Sequence, residues 1–238
     1  MTSWASRRAS HHVGHRPPAL APDRPDSPPI AGPSLTPQVQ PAAEPTPLHR
    51  PFPSQRYGLI YADPPWHYDG DPNKDQAAGK HYPLMRNPDI AALPVGSITA
   101  AKAALFLWAT GPRLPEAIEV MRAWGFHYRG VAYVWVKTAR DGHIISGQGV
   151  RPTFTKPTTE FLLVGSTSRR GRPLQLLTEA HGQVVLAPRG RHSEKPAVFR
   201  QRLIELLGDV PRIELFARER VEGWDAWGNE VSDPDRAM

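Results

Sequence analysis

The chain has 238 residues, a net charge of +6 and no cysteine, which excludes disulfides, thiolate metal sites and a cysteine nucleophile. Its length allows one ordinary domain with a real core plus an appendage. No apolar run reaches the length of a membrane span or forms a signal core, so a cytoplasmic protein with no membrane contact is expected. The basic balance, with 23 Arg against 6 Lys, favours a polyanionic partner.

Residues 1–55 hold 13 of the 28 prolines and few large apolar groups. Such a segment cannot bury enough apolar surface to offset its ordering entropy, so a disordered Pro/Arg-rich tail is expected there. Its Arg7, Arg8 and Arg16 read better as part of a solvated spacer than as nucleic-acid contacts. A folded domain is expected over 56–231, with a short tail at 232–238.

From Tyr57 the pattern alternates between strand and helix. YGLIYA (57–62) reads as a buried strand, and NPDIAALPV (87–95) as a short helix with Pro88 at its start. AALFLWAT (103–110) is a second buried strand. RLPEAIEVMRAWG (113–125) is an amphipathic helix stopped by Gly125. YRGVAYVWVK (128–137), EFLLVGS (160–166) and QVVLAP (183–188) read as strands. KPAVFRQRLIELLG (195–208) is a helix closed by Gly208, and RIELFAR (212–218) is the last core strand. The fold class is therefore α/β, with a mostly parallel sheet covered by helices on both faces. Residues 67–82 and 138–158 are polar, Gly-rich and long for loops, as functional loops are.

LIYADPPWHYDG (59–70) runs from a strand into a corner. In open α/β sheets, ligands bind beyond the carboxyl ends of the strands. A residue before proline is held extended, so Asp63 projects over that lip. Pro64 and Pro65 carry no N–H, so the corner offers acceptors: the Asp63 carboxylate and backbone carbonyls. Trp66 adds an aromatic face. This set suits a planar group bearing an NH2, such as the exocyclic amine of a flipped base.

DPPW at 63–66, RHSEKP at 191–196, RIELFAR at 212–218 and GWDAWGNE at 223–230 occur in that order. Together they resemble the adenine N(6)-methyltransferases named after the 70-kilodalton subunit of the mRNA adenosine methyltransferase. The resemblance covers about 57–231. It implies a Rossmann-like methyltransferase fold of the beta class of amino-methyltransferases, with the catalytic motif ahead of the cofactor motif. It further implies S-adenosylmethionine as cofactor and adenine N(6) as target; the leading reading is a bacterial or phage member acting on DNA. Asp63, Pro64, Pro65 and Trp66 become the catalytic set. Asp63, Lys195, Arg218, Asn229 and Glu230 become cofactor contacts, the last three toward the ribose. The stretch before Glu160 keeps Gly147 and Gly149, but Thr159 stands where the family often has His or Asn.

Glu214 reads as a partner for a helix arginine, His192 as a structural loop residue and Ser193 as a helix cap. No Asp/His cluster has metal-ligand spacing, so no metal is expected. Between Arg151 and Arg191 lie seven basic and two acidic residues. Of these, Arg151, Lys156, Arg169, Arg170 and Arg172 are expected beside the corner as phosphate contacts. Three other readings stay open: adenosine in RNA, cytosine N(4), and a non-catalytic partner subunit of the same fold. Assembly as a homodimer or a heterodimer is also open.

Overall fold

β1 (Tyr57–Ala62) is buried at all six positions. That is what a continuous apolar run does in the middle of a sheet covered on both faces. The computed structural model describes residues 51–67, 84–145, 155–191 and 194–231. Residues 1–50 of the tail expected over 1–55, the tail at 232–238, and Gly147, Gly149, Arg151, His192 and Ser193 lie outside the described residues. The last residues of the expected tail are described, and there Phe52 stacks on Trp227 at 4.3 Å, so the packed domain begins before residue 56.

The elements follow in order: α1 (Asn87–Ala91), β2 (Thr99–Ala109), α2 (Leu114–Ala123), β3 (His127–Thr138), β4 (Thr159–Ser166), β5 (Val184–Pro188), α3 (Val198–Leu207), β6 (Arg212–Leu215) and β7 (Asp225–Trp227). The seven strands form one sheet in the order β5-β3-β4-β2-β1-β6-β7. β1 runs parallel to β2 and β6, β3 to β5, and β6 to β7. β4 is antiparallel to both of its neighbours, β2 and β3. The sheet is thus mostly parallel, as expected, with one reversed strand. The reversal has a local cause. A parallel return needs a crossover, usually a helix, and the sequence between β3 and β4 has no apolar period that would form one.

Strand alternation divides the core into two layers. Ile60, Ala62, Leu105, Leu107 and Ala109 pack with Ile90 of α1 and with Ala117, Val120 and Met121 of α2. Leu59, Tyr61, Phe106 and Trp108 face the other way, toward Phe199, Leu203 and Leu207 of α3. Those three recur every fourth residue and form one helix face. The α3 layer is aromatic: the Phe199 ring meets Trp108 edge-on at 4.8 Å, with Tyr133 and Trp135 around it. α3 stops at Gly208, whose φ of 72° lies in the left-handed region and whose N–H donates to Ile204 O at 2.7 Å.

β6 ends three residues before the RIELFAR stretch does, because Phe216 takes a φ of 62° and turns the chain. β7, inside the stretch that resembles the cofactor motif, was not expected as a strand.

Candidate active site

Asp63 follows β1 directly, and its N–H donates to Leu215 O at the end of β6. The prolines after it leave few donors, and the corner closes with the bonds that remain. The Trp66 N–H donates to Pro64 O at 2.9 Å, the Met85 N–H to Pro65 O at 2.9 Å, and the His67 N–H to Met85 O at 3.1 Å. Arg113, buried at the start of α2, donates to His67 O at 2.6 Å and pins the way out. The Pro64 and Pro65 carbonyls were expected to be free. Each already accepts one bond, so each has only its second lone pair to offer a ligand.

Trp66 departs further from its expected role. It is 6% exposed, belongs to the α1–α2 core layer, and donates its indole N–H to Trp108 O at 3.1 Å. An indole with this much surface to bury gains more from the core than from an open stacking face. It holds the corner from beneath.

Four charged side chains meet at the lip. Lys195 Nζ lies 2.6 Å from Asp63 Oδ2 and 3.3 Å from Glu160 Oε2, and Lys137 Nζ lies 2.6 Å from Glu160 Oε1. Two acids and two bases in alternation leave the cluster neutral, which is how charges survive burial. Burial is substantial: the Lys195 side chain is 8% exposed, Glu160 11% and Asp63 23%. The floor is aromatic, with Lys195 over the Trp108 ring and Lys137 over Trp135, at 5.5 and 5.1 Å from the ring centroids.

Glu160 and Lys137 were not among the expected site residues. β4 supplies Glu160, and only because β4 is reversed: its first residues lie beside the carboxyl ends of β2 and β3, with Glu160 opposite Trp135. The strand period carried a usable signal. Asp63 lies two residues past Tyr61, Lys137 two past Trp135, and Glu160 two before Leu162, and those three neighbours all face α3. The four-charge cluster is the polar edge of that layer.

Burial raises the Asp63 carboxyl above the ordinary aspartate value; Lys195 and Arg218 oppose this, and the Glu160 charge adds to it. Burial would raise Glu160 too, but Lys195 and Lys137 outweigh it and hold that carboxyl below its usual range. The consequences for folding have opposite sign. Ionised Glu160 contributes stability at neutral pH that is lost as the pH falls through its lowered value. Ionised Asp63 costs stability, and that cost fades as the pH falls through its raised value. Beneath them, Glu214 of β6 pairs with Arg200 of α3 at 2.9 Å, the helix-arginine pairing read from the sequence. Burial raises Glu214 as well, against Arg200.

β6 and β7 bring Arg218, Asn229 and Glu230 to the same lip, with Arg218 Nε 3.7 Å from Glu230 Oε1. Asn229 and Glu230 are exposed. An amide, a carboxylate and a guanidinium side by side can hold a diol and a nearby anion. Gly228 makes this possible: the Ala217 N–H donates to Trp227 O at 3.0 Å, and the two backbones approach closely at Gly228.

The basic loop is a correction. Arg169, Arg170 and Arg172 follow the carboxyl end of β4, where Ser166 pairs with Ala104 and His127. Reversal of β4 puts them at the opposite lip of the sheet, about 23 Å from the corner by strand rise. There Arg129 donates to Arg169 O, and Arg172 pairs with Glu179 at 2.6 Å. Lys156 precedes β4 and is exposed on the Asp63 side, as are Arg140 and Arg189, which follow β3 and β5.

Among the described residues no helix is long and apolar enough to cross a membrane, and no group of three acidic or His side chains could hold a metal ion.

A model of the MT-A70 family matches residues 57–230. The chain is similar to the Type II methyltransferase M.MunI of a Mycoplasma species, at 34% identity over 204 residues, covering 76% of this chain and 81% of that protein. It is similar to the N(6)-adenine-specific methyltransferase METTL4 of Homo sapiens, at 25% identity, covering 74% of this chain and 37% of that protein. It is also similar to an N(6)-adenosine-methyltransferase MT-A70-like protein of Arabidopsis thaliana, at 28% identity, covering 74% of this chain and 24% of that protein. The chain thus spans most of the first relative and about a third or a quarter of the other two.

Proposed function

The chain belongs to the MT-A70 family and is an adenine N(6)-methyltransferase acting on nucleic acid, and we propose that its substrate is DNA, its methyl donor S-adenosylmethionine, and Asp63 the group that receives the adenine amine. The observation that carries this is the buried Asp63–Lys195 contact at the DPPW corner, on one lip with Arg218, Asn229 and Glu230. DNA is preferred because the relative spanned over most of its length is a type II methyltransferase. The adenosine-methyltransferase relative is matched over 24% of its length. RNA is the second reading.

The donor set fits S-adenosylmethionine. Asn229 and Glu230 supply polar atoms for a ribose diol, while Lys195 and Arg218 supply cations for a carboxylate. When bound, S-adenosylmethionine supplies an electrophilic methyl group on a sulfonium.

The chain's own residues prepare the other reactant. The adenine amine is a poor nucleophile because its lone pair is delocalised into the ring. Hydrogen bonds from its two hydrogens to Asp63 and to the second lone pair of the Pro64 carbonyl favour the pyramidal amine and aim its lone pair. An amine that accepts a methyl group would carry a positive charge on its nitrogen beside Asp63. The Asp63 carboxylate stabilises that charge until the proton leaves to water. Lys195 opposes the burial that raises Asp63 and so favours its ionised form, and the Trp108 and Trp135 indoles make the floor apolar. Phosphate contacts on this lip fall to Lys156, Arg140 and Arg189. Arg151 is assigned the same role from its sequence position alone.

The decisive experiment is transfer of labelled methyl from S-adenosylmethionine to matched DNA and RNA, followed by nucleoside analysis. N(6)-methyladenine in DNA is expected. Label in RNA alone would move the substrate, and label at cytosine N(4) would move the target base.

Two further outcomes are expected. Asn229→Ala should weaken S-adenosylmethionine binding about tenfold, the scale of one hydrogen bond to a polar ligand group. Lys195→Ala should lower affinity and turnover together, because the same ammonium holds Asp63. Calorimetric titration checks both, and unchanged affinity in both would move the cofactor site. In addition, turnover at saturating substrates should fall on acidification at a pH above the ordinary aspartate value, because burial raises Asp63 and the reaction needs its ionised form. A rate flat down to about pH 4 would remove Asp63 from the reacting centre.

A further inference from the structure

We infer that Lys137 is a positioning residue for the reaction: by occupying one oxygen of Glu160, it leaves the Lys195 ammonium to Asp63. The inference rests on the reading of Asp63 as the group that receives the amine. It goes beyond that reading by assigning a function to a strand residue outside every motif that the sequence displays.

The geometry is a competition for one cation. Lys195 stands between two carboxylates, 2.6 Å from Asp63 and 3.3 Å from Glu160. It sits closer to Asp63 because Glu160 already has a partner, Lys137 at 2.6 Å on its other oxygen. Without Lys137, Glu160 would be a buried acid with Lys195 as its nearest cation, and its pull on that cation would rise. Asp63 would lose part of its compensation while the Glu160 charge stayed close. Both changes act in one direction, making Asp63 harder to ionise.

The other charged groups around the cluster do not replace Lys137. Asp63 faces Lys195, Glu160 and the more distant Arg218. Beneath it, Glu214 is paired with Arg200, and the buried Tyr61 hydroxyl accepts from the Trp108 indole. Glu160 faces Lys195 and Lys137.

Lys137 is held for this role. Glu160 lies opposite Trp135, which puts Lys137 on the cross-strand diagonal, within reach of a long side chain. The Trp135 ring beneath its ammonium fixes where that charge sits. A lysine serving solubility alone would extend into water.

The test uses the full chain with 13C-carboxyl-labelled aspartate, the Asp63 signal being identified by its loss in Asp63→Asn. Wild type, Lys137→Met and Lys137→Arg are titrated by NMR. Methionine keeps the apolar stem over Trp135 and removes the charge; should it not fold, Lys137→Gln takes its place in the same titration. Lys137→Met should shift the Asp63 titration upward by about half a unit or more, a fraction of the roughly one to three units produced by a directly adjacent charge. Lys137→Arg should restore most of the shift. The acid limb of the turnover profile should move with the titration, while KM for DNA stays within about twofold.

An Asp63 titration unmoved in Lys137→Met overturns the inference, and so does an arginine variant that behaves like the methionine one. Unmoved titration with a raised KM and a smaller salt slope makes Lys137 a phosphate contact instead. These readings do not depend on the substrate: a wild-type chain that methylates no nucleic acid would sink the functional reading, while the titration still decides the coupling.

Discussion

Replacing Asp63 with alanine should lower methyl transfer about a hundred- to a thousandfold and leave S-adenosylmethionine affinity within a few-fold. Losing one preorganised transition-state contact costs about 3–4 kcal/mol of barrier. Asp63 is such a contact, because its position is over-determined. Its backbone is tied to Leu215, the turn behind it to Met85, and its carboxylate to Lys195. The fold should survive the change. Ionised Asp63 costs stability at neutral pH, and Lys195 retains Glu160 at 3.3 Å. Single-turnover rates, with calorimetry of cofactor binding on the same preparation, separate the two effects. Near-normal turnover in the variant would end the case for Asp63 as the acceptor. A cofactor affinity lost in parallel would make Asp63 a binding group instead.

The second large effect is expected at Gly228. A Cβ there would stand 2.2 Å from Ala217 O, 2.7 Å from Ala217 N and 3.0 Å from Phe216 C. All three are backbone atoms, so no side chain can rotate away. Either the chain after β6 or the chain after β7 must move, and the Ala217–Trp227 hydrogen bond goes with it. Phe216, already at a φ of 62°, has little room to absorb the shift. Gly228→Ala should therefore cost about 1–3 kcal/mol of stability, the usual range for an overpacked site, and occasionally more. It should also reduce cofactor affinity at least as much as Asn229→Ala, because Arg218, Asn229 and Glu230 all hang on the two displaced segments. Gly96→Ala is the control: its Cβ meets nothing within 4 Å. Thermal melts and calorimetry on the pair check this, and a Gly228→Ala variant with wild-type stability and affinity would show that the two chains are not locked together.

The sequence made the parts governed by short-range rules legible. Alternation and continuous apolar runs located all the strands except β7, whose three residues are too short for a period to show. Pro88 and Gly208 marked a helix start and a helix stop. The corner at Asp63 was readable because proline restricts its neighbours in a known way. What failed depended on strand direction, which the period of a strand does not encode and which only the missing crossover helix before β4 betrays. One reversed strand, β4, carried Glu160 to the reacting lip and Arg169, Arg170 and Arg172 to the far one. Trp66 failed for another reason. Its place in the chain beside Asp63 says nothing about which way the indole turns, and the competition between core and ligand for a large apolar surface is decided by packing.

The Trp108 indole joins several roles in one side chain. It lies under the Lys195 ammonium, donates to the Tyr61 hydroxyl and meets Phe199 edge-on, while its backbone carbonyl takes the indole N–H of Trp66. What holds the molecule folded and what readies it to react are therefore the same atoms. A substitution that shrinks Trp108 would loosen the α3 layer and the seat of the Lys195 ammonium in one step.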